Sequence, residues 1–319
     1  MPFKIIFALA FSLVFARLAP ADLLVKDGEK VAFLGDSITA QGWDFPGGYV
    51  KLTAAGLQTL GVKIVPIPAG VGGNTSQDML ARFQADVLAR KPDWVTISCG
   101  VNDVWHNPGG VPLDGYEKNI TSMVDQAQAA GIKVLIMTAT PIGEDDNDSN
   151  KKLVAYNDFL HQLAAQRHLP VAEENAAFQA AIKAGPPLPN NAPILTVDGV
   201  HPTPDGAQIM AATLLAGFGA TPAQVTQAQQ AWLDMPESAV ARSWQGFGIT
   251  APLTLKQYNA LKVIATAKGV NTQTLVDALF MEVIGNAINA HRADPVLIHG
   301  VIESEAQKAF TAKIADLTK

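Results

Sequence analysis

Apolar residues in this chain gather in short aliphatic runs, and stretches of roughly helical spacing separate one run from the next. Residues 31–34, 62–67, 94–98 and 134–137 are short, apolar and largely β-branched or aliphatic, the signature of buried strands. Between and after them, helices are predicted over residues 49–60, 77–89, 113–130 and 150–166. Gly61 and Gly131 close two of these helices, as residues able to take a left-handed stop. This alternation predicts a mostly parallel sheet with helices on both faces.

The pattern changes after Gly219. Thr221-Pro222 reads as an N-cap followed by proline at the first helical position. Helices are predicted over residues 223–235, 254–268, 272–290 and 303–317, and no strand-like run of comparable strength interrupts them. Residues 22–219 are therefore expected to form the α/β domain. Residues 220–319 are expected to form an all-helical C-terminal extension, either packed on that domain or standing as a small bundle.

The first 21 residues read as a leader rather than as fold. Lys4 supplies a positive start, residues 5–16 form an uncharged apolar run of 12, and Ala19-Pro20-Ala21 fits a small-residue cleavage site. A bilayer crossing needs about 20 apolar residues, so a signal peptide is predicted and no membrane span. The expected location is the periplasm or outside the cell.

Across all 319 residues, 23 basic side chains face 29 acidic ones, a net charge of −6. Removing Lys4 and Arg17 with the leader makes the remainder more acidic still. Nucleic acid is a poor partner for such a surface, which lacks basic stripes. Cys99 is the sole cysteine, so no internal disulfide forms, and its apolar setting reads as core.

Chemistry-bearing residues stand at the ends of the predicted strands. Gly35-Asp36-Ser37 follows the first, where open α/β sheets place their sites. A serine hydroxyl needs a base, an orienting acid and oxyanion donors. Asp198-Gly199-Val200-His201 offers an acid and an imidazole three residues apart, able to face the same side. Asn102, directly after the third strand, offers an amide NH2 where an oxyanion donor belongs. The glycines of Gly70-Val71-Gly72-Gly73 would let a backbone N–H approach a ligand closely. Each of these also has a plainer reading as a turn or capping residue.

Together the four blocks resemble the SGNH hydrolase superfamily, the GDSL esterases and lipases: Gly35-Asp36-Ser37, the glycines around Gly73, Gly100-x-Asn102-Asp103 and Asp198-x-x-His201, in the family's order. The resemblance implies a flavodoxin-like three-layer α/β/α fold. It implies Ser37 as nucleophile, His201 as base, Asp198 as its orienting acid, and an oxyanion hole from the Ser37 and Gly73 backbone N–H groups with the Asn102 side chain. Gly72 is the alternative backbone donor. The Gly-x-Ser-x-Gly elbow of ordinary α/β-hydrolases is absent.

Other motifs are weaker. Ser149-x-x-Lys152 lacks its companion motifs. The acidic run Glu144-Asp145-Asp146-Asn147-Asp148 lacks the glycine and terminal glutamate of a calcium loop and reads as solvated. His161 and His168 lack zinc spacing, and His291 reads as a helix C-terminal residue. No metal or cofactor is expected, because acyl transfer to water needs none.

Trp43 and Phe45 follow the nucleophile, and Trp105, His106 and Asn107 follow the oxyanion asparagine. Of these, Trp43, Trp105 and His106 are the candidates to bind substrate, unless the aromatics serve only to anchor their loops. The expected substrate is a carbohydrate carrying O-acetyl groups. The alternatives are a lysophospholipase, thioesterase or arylesterase of broad short-chain specificity, or an adhesion or scaffold protein with a retained hydrolase domain.

Overall fold

The computed structural model describes residues 23–106, 108–185, 193–244, 247–290 and 299–319. The expected leader and its cleavage site, as well as Asn107 and His291, lie outside the described residues.

The chain begins with β1 (Lys30–Gly35), α1 (Ser37–Asp44), α2 (Tyr49–Thr59), β2 (Val65–Gly70), α3 (Ser76–Asp86) and β3 (Trp94–Ser98). It continues through α4 (Val101–Trp105), α5 (Leu113–Ala129), β4 (Lys133–Met137), α6 (Asp148–Arg167), β5 (Val171–Ala172), α7 (Glu174–Ala184) and α8 (Pro204–Gly217). The five strands pair in parallel in the order β2-β1-β3-β4-β5, the flavodoxin-like order. β1 lies inside the sheet, and Val31, Ala32, Phe33 and Leu34 are all fully buried. That is why this run is apolar without alternation.

The second strand starts three residues later than its apolar run suggests. Gly61, at φ +89°, closes α2, and the Val62 N–H turns back to the Leu57 carbonyl before the chain joins the sheet. β2 contains Pro66 and Pro68, which a sheet tolerates because β2 is an edge strand. At its C-terminal end a Cβ on Gly70 would lie 2.3 Å from the Ala40 nitrogen, so glycine lets α1 press onto the strand end.

Beyond α8, α9 (Pro222–Trp232) packs on α2 and α8. Trp232 is fully buried in the main core, and its indole N–H donates to the Leu52 carbonyl at 2.8 Å. The main core thus runs past Gly219. The helices α10 (Leu255–Ala267), α11 (Thr272–Ala290) and α12 (His299–Leu317) follow, with a second core around Leu261, Val276, Ile284 and Phe310. Leu255 and Tyr258 join the main core instead, and Lys262 pairs with Asp205 of α8 at 2.9 Å.

One element departs from the expected all-helical extension. β6 (Pro236–Trp244) and β7 (Phe247–Thr254) form an antiparallel two-stranded sheet between α9 and α10. Its first strand, Pro-Glu-Ser-Ala-Val-Ala-Arg-Ser-Trp, is too polar for a buried run. Adjacent-strand pairing makes it a hairpin all the same.

Candidate active site

The ends of β1, β2 and β3 converge on one rim of the sheet. Asp36 caps α1, its Oδ1 accepting from the Ile38 N–H at 2.9 Å, which makes Ser37 the first helical residue. First-turn N–H groups have no partner within their helix. Neither Ser37 N–H nor Gly73 N–H has a hydrogen-bond partner among the described residues. Gly73 takes φ +75°, whereas a Cβ on Gly72 would lie 3.9 Å from the Ser37 Cβ. Gly73 is thus required by backbone conformation, and Gly72 is the glycine facing the serine.

Asn102 is buried at the start of α4. Its side-chain NH2 donates to the Asn74 carbonyl at 3.0 Å and, over a longer 3.3 Å, to Asp36 Oδ2. Burial pushes the Asp36 carboxyl up to about 6, against the pull of the Ile38 N–H and the His201 ring.

His201 reaches this rim from the loop before α8. Its Nε2 accepts from the Ser37 hydroxyl at 2.8 Å, and its Nδ1–H donates to Asp198 Oδ2 at 2.6 Å. Asp198 Oδ1 accepts the backbone N–H groups of His201 at 2.8 Å and Val200 at 3.0 Å. Partial burial pushes the Asp198 carboxyl up, but the His201 backbone N–H, the His201 ring and the Val200 N–H outweigh it. The carboxyl is held below its ordinary value and stays charged.

Several supporting contacts gave no signal in the sequence. Arg82 of α3 donates to the Gly35 and Ala69 carbonyls at 2.8 and 2.9 Å and to Asn74 Oδ1 at 2.6 Å, tying two strand ends to the glycine loop. Asp103, fully buried, accepts the Ser76 N–H on both oxygens at the start of α3. Glu144 also departs from its expected place in a solvated loop. Its carboxylate binds the backbone of residues 194–196, just before Asp198. The signal for each is spatial, because each reaches a partner far away in sequence: Gly35 lies 47 residues from Arg82, Ser76 27 from Asp103 and Thr196 52 from Glu144.

The aromatic candidates divide. Trp43 packs against the main core with Lys51 over its ring, as an anchor would. Trp105 is 46% exposed, its ring tilted against that of His106. It walls a groove of about 320 Å3 beside Asp198, together with Ile142, Gly143, Asn147, Ser149 and Gly199. Phe45 is also exposed. Cys99 is buried, its thiol pushed up by burial and donating to Asp103. Among the described residues, no group of three or more His, Cys, Asp or Glu is arranged to hold a metal ion, and no helix is long and apolar enough to cross a membrane.

A profile of the GDSL-like lipase/acylhydrolase family matches residues 33–209. An acetylxylan esterase of Geobacillus stearothermophilus is 32% identical over 217 residues, covering 61% of this chain and 96% of that protein. The esterase TesA of Pseudomonas aeruginosa is 35% identical over 105 residues, 33% of this chain and 51% of that one. A crystal structure of an acetylxylan esterase from Geobacillus stearothermophilus superposes with a TM-score of 0.55 at 30% identity, over 62% of this chain and 98% of that chain. Further structures of that enzyme carry catalytic mutations at a serine, an aspartate and a histidine. The profile spans more than half of this chain and includes the sheet, Ser37 and the Asp198–His201 loop, so the protein belongs to the GDSL-like lipase/acylhydrolase family and is a serine esterase.

Proposed function

We propose that this esterase removes O-acetyl groups from carbohydrate chains, with Ser37 as nucleophile, His201 as base and Asp198 as the acid that orients it. The observation that carries the mechanism is the imidazole bridging Ser37 Oγ and Asp198 Oδ2 at 2.8 and 2.6 Å. His201 Nε2 takes the serine proton as Oγ adds to the acetyl carbonyl, and the negative charge moves to the carbonyl oxygen. The Ser37 and Gly73 N–H groups, without a partner among the described residues, and the Asn102 amide are the donors proposed for that oxyanion. Of the two bonds Asn102 makes, the 3.3 Å one to Asp36 is the one an oxyanion would replace. As the intermediate collapses and its C–O bond to the sugar breaks, His201 gives its proton to the sugar oxygen, which leaves as a hydroxyl. Water, deprotonated by the same ring, cleaves the acetyl–serine ester and releases acetate.

The groove beside Asp198 supports a carbohydrate on the leaving side. Trp105 offers a ring face, and Asn147 and Ser149 line the same groove, a pairing suited to a pyranose. Asp148 also lines the groove, and Asp145 and Asp146 stand exposed in the same loop with Lys151 as the nearby cation, a field that disfavours anionic sugars. The N-terminal pattern supports an exported enzyme. Acetate release should therefore be faster from acetylated xylo-oligosaccharides and chitin fragments than from acetylated pectin, and p-nitrophenyl acetate should exceed longer esters in kcat/KM. Preference for acyl chains of eight or more carbons would overturn the acetyl assignment in favour of the lysophospholipase reading.

A further inference from the structure

The loop that carries Asp198 and His201 has little regular structure of its own. It closes on itself through Val197 N–H to the His201 carbonyl at 2.9 Å and Thr203 N–H to the Leu195 carbonyl at 2.8 Å. Three consecutive N–H groups at its entry converge on a single side chain. Glu144 Oε2 accepts from Ile194 N–H at 2.6 Å, and Oε1 accepts from Leu195 and Thr196 N–H, both at 2.7 Å, and from the Thr196 hydroxyl at 2.9 Å. Next to it, Gly143 N–H donates to the Gly199 carbonyl at 2.6 Å.

Glu144 is itself held firmly. Asn150 accepts the Ile142 N–H at 2.8 Å and donates to the Asp145 carbonyl at 3.0 Å, while Asn147 donates to the Ile142 carbonyl at 2.7 Å. The loop between β4 and α6 is thereby a braced support for one carboxylate. Hydrogen bonds to an ionised acceptor are short and about twice as strong as neutral ones, and four of them converge here.

We propose that Glu144 is a positioning residue for hydrolysis: it fixes the entry of the Asp198–His201 loop and so keeps the imidazole in reach of Ser37. The role rests on the serine mechanism above, in which the base must be in place before attack. A misplacement on the order of 1 Å costs about 100-fold in rate, and residues 194–196 lie only two to four positions before Asp198.

The test compares Glu144→Gln in the parent and in His201→Ala, using p-nitrophenyl acetate and a fluorophosphonate probe. Gln retains one acceptor oxygen but turns an NH2 toward the loop amides. In the parent, kcat and probe labelling of Ser37 should fall about 10- to 100-fold, with KM within twofold and cooperative unfolding kept. In His201→Ala, the same change should cost less than twofold, because no base remains to be positioned. Parent-like kcat in Glu144→Gln, or an equal loss in both backgrounds, would overturn the proposal. If His201→Ala itself kept full activity, the serine mechanism would fail instead. Should Glu144→Gln not fold, Thr196→Val removes only the hydroxyl donor. A smaller fall in kcat alone is then expected, and an unchanged kcat would count against the proposal.

Discussion

The two sides of the active rim are built differently. Ser37, Gly73 and Asn102 follow the ends of β1, β2 and β3, so the hydrogen-bonded sheet sets their positions and the Arg82 side chain only ties its strand ends to the glycine loop. Asp198 and His201 ride on a loop whose nearest support is a ring of polar contacts around Glu144. One side inherits its geometry from backbone pairing and buried apolar strands. The other must be fastened to it by individual charged and amide groups, and it is correspondingly easier to loosen.

The comparison is broken most directly by removing its meeting point. Ser37→Ala and His201→Ala should each lower kcat by a factor on the order of 10^4 or more, with thermal unfolding close to the parent. Comparable ester hydrolysis in purified Ser37→Ala would mean that the two sides do not meet in catalysis. Next in size, Asn102→Ala should reduce kcat by about 10^2- to 10^3-fold while KM changes little. A loss confined to KM would place Asn102 in substrate binding rather than charge stabilisation.

The smallest expected effect concerns the strand side alone and is read in stability. The folded Asp36 carboxyl titrates near 6, above its ordinary 3.8, so folding favours its protonated form. Its contribution is full below 3.8, declines as pH climbs, and levels off above about 6. Asp36→Asn does not titrate. Whatever constant offset the substitution carries, the variant should gain on the parent by about 2.4 kcal/mol between pH 4 and 7. Urea unfolding at a series of pH values measures the gap, and a gap independent of pH would show that Asp36 is not held in its acid form.

What was legible in the sequence follows the same division. β1, β3 and β4 were readable because a strand buried on both faces is a short, mostly apolar run, and β1 and β3 lead directly into residues of the site. β2 was displaced because its prolines and the return after Gly61 are settled by its place at the sheet edge. The Asp198–His201 pair was legible as a motif, although its support was not. Glu144 looks like any acid in a charged loop until the chain folds and brings three amides to it from about fifty residues away. The β6–β7 hairpin was missed for a related reason, since two half-polar strands become a sheet only by pairing with each other.

The prolines of β2 have a consequence for the molecule's behaviour among its own copies. Val65 N–H donates inward to the Glu29 carbonyl, so Pro66 and Pro68, of the opposite parity, turn their ring nitrogens outward. The outward Pro68 carbonyl is already occupied by Arg90 at 2.9 Å. An arriving strand would find few donors to pair with along that border. At the far border β5 offers only Val171 and Ala172. Both borders of the parallel sheet are thus poor templates for a further strand, which guards the esterase against aggregation by sheet growth.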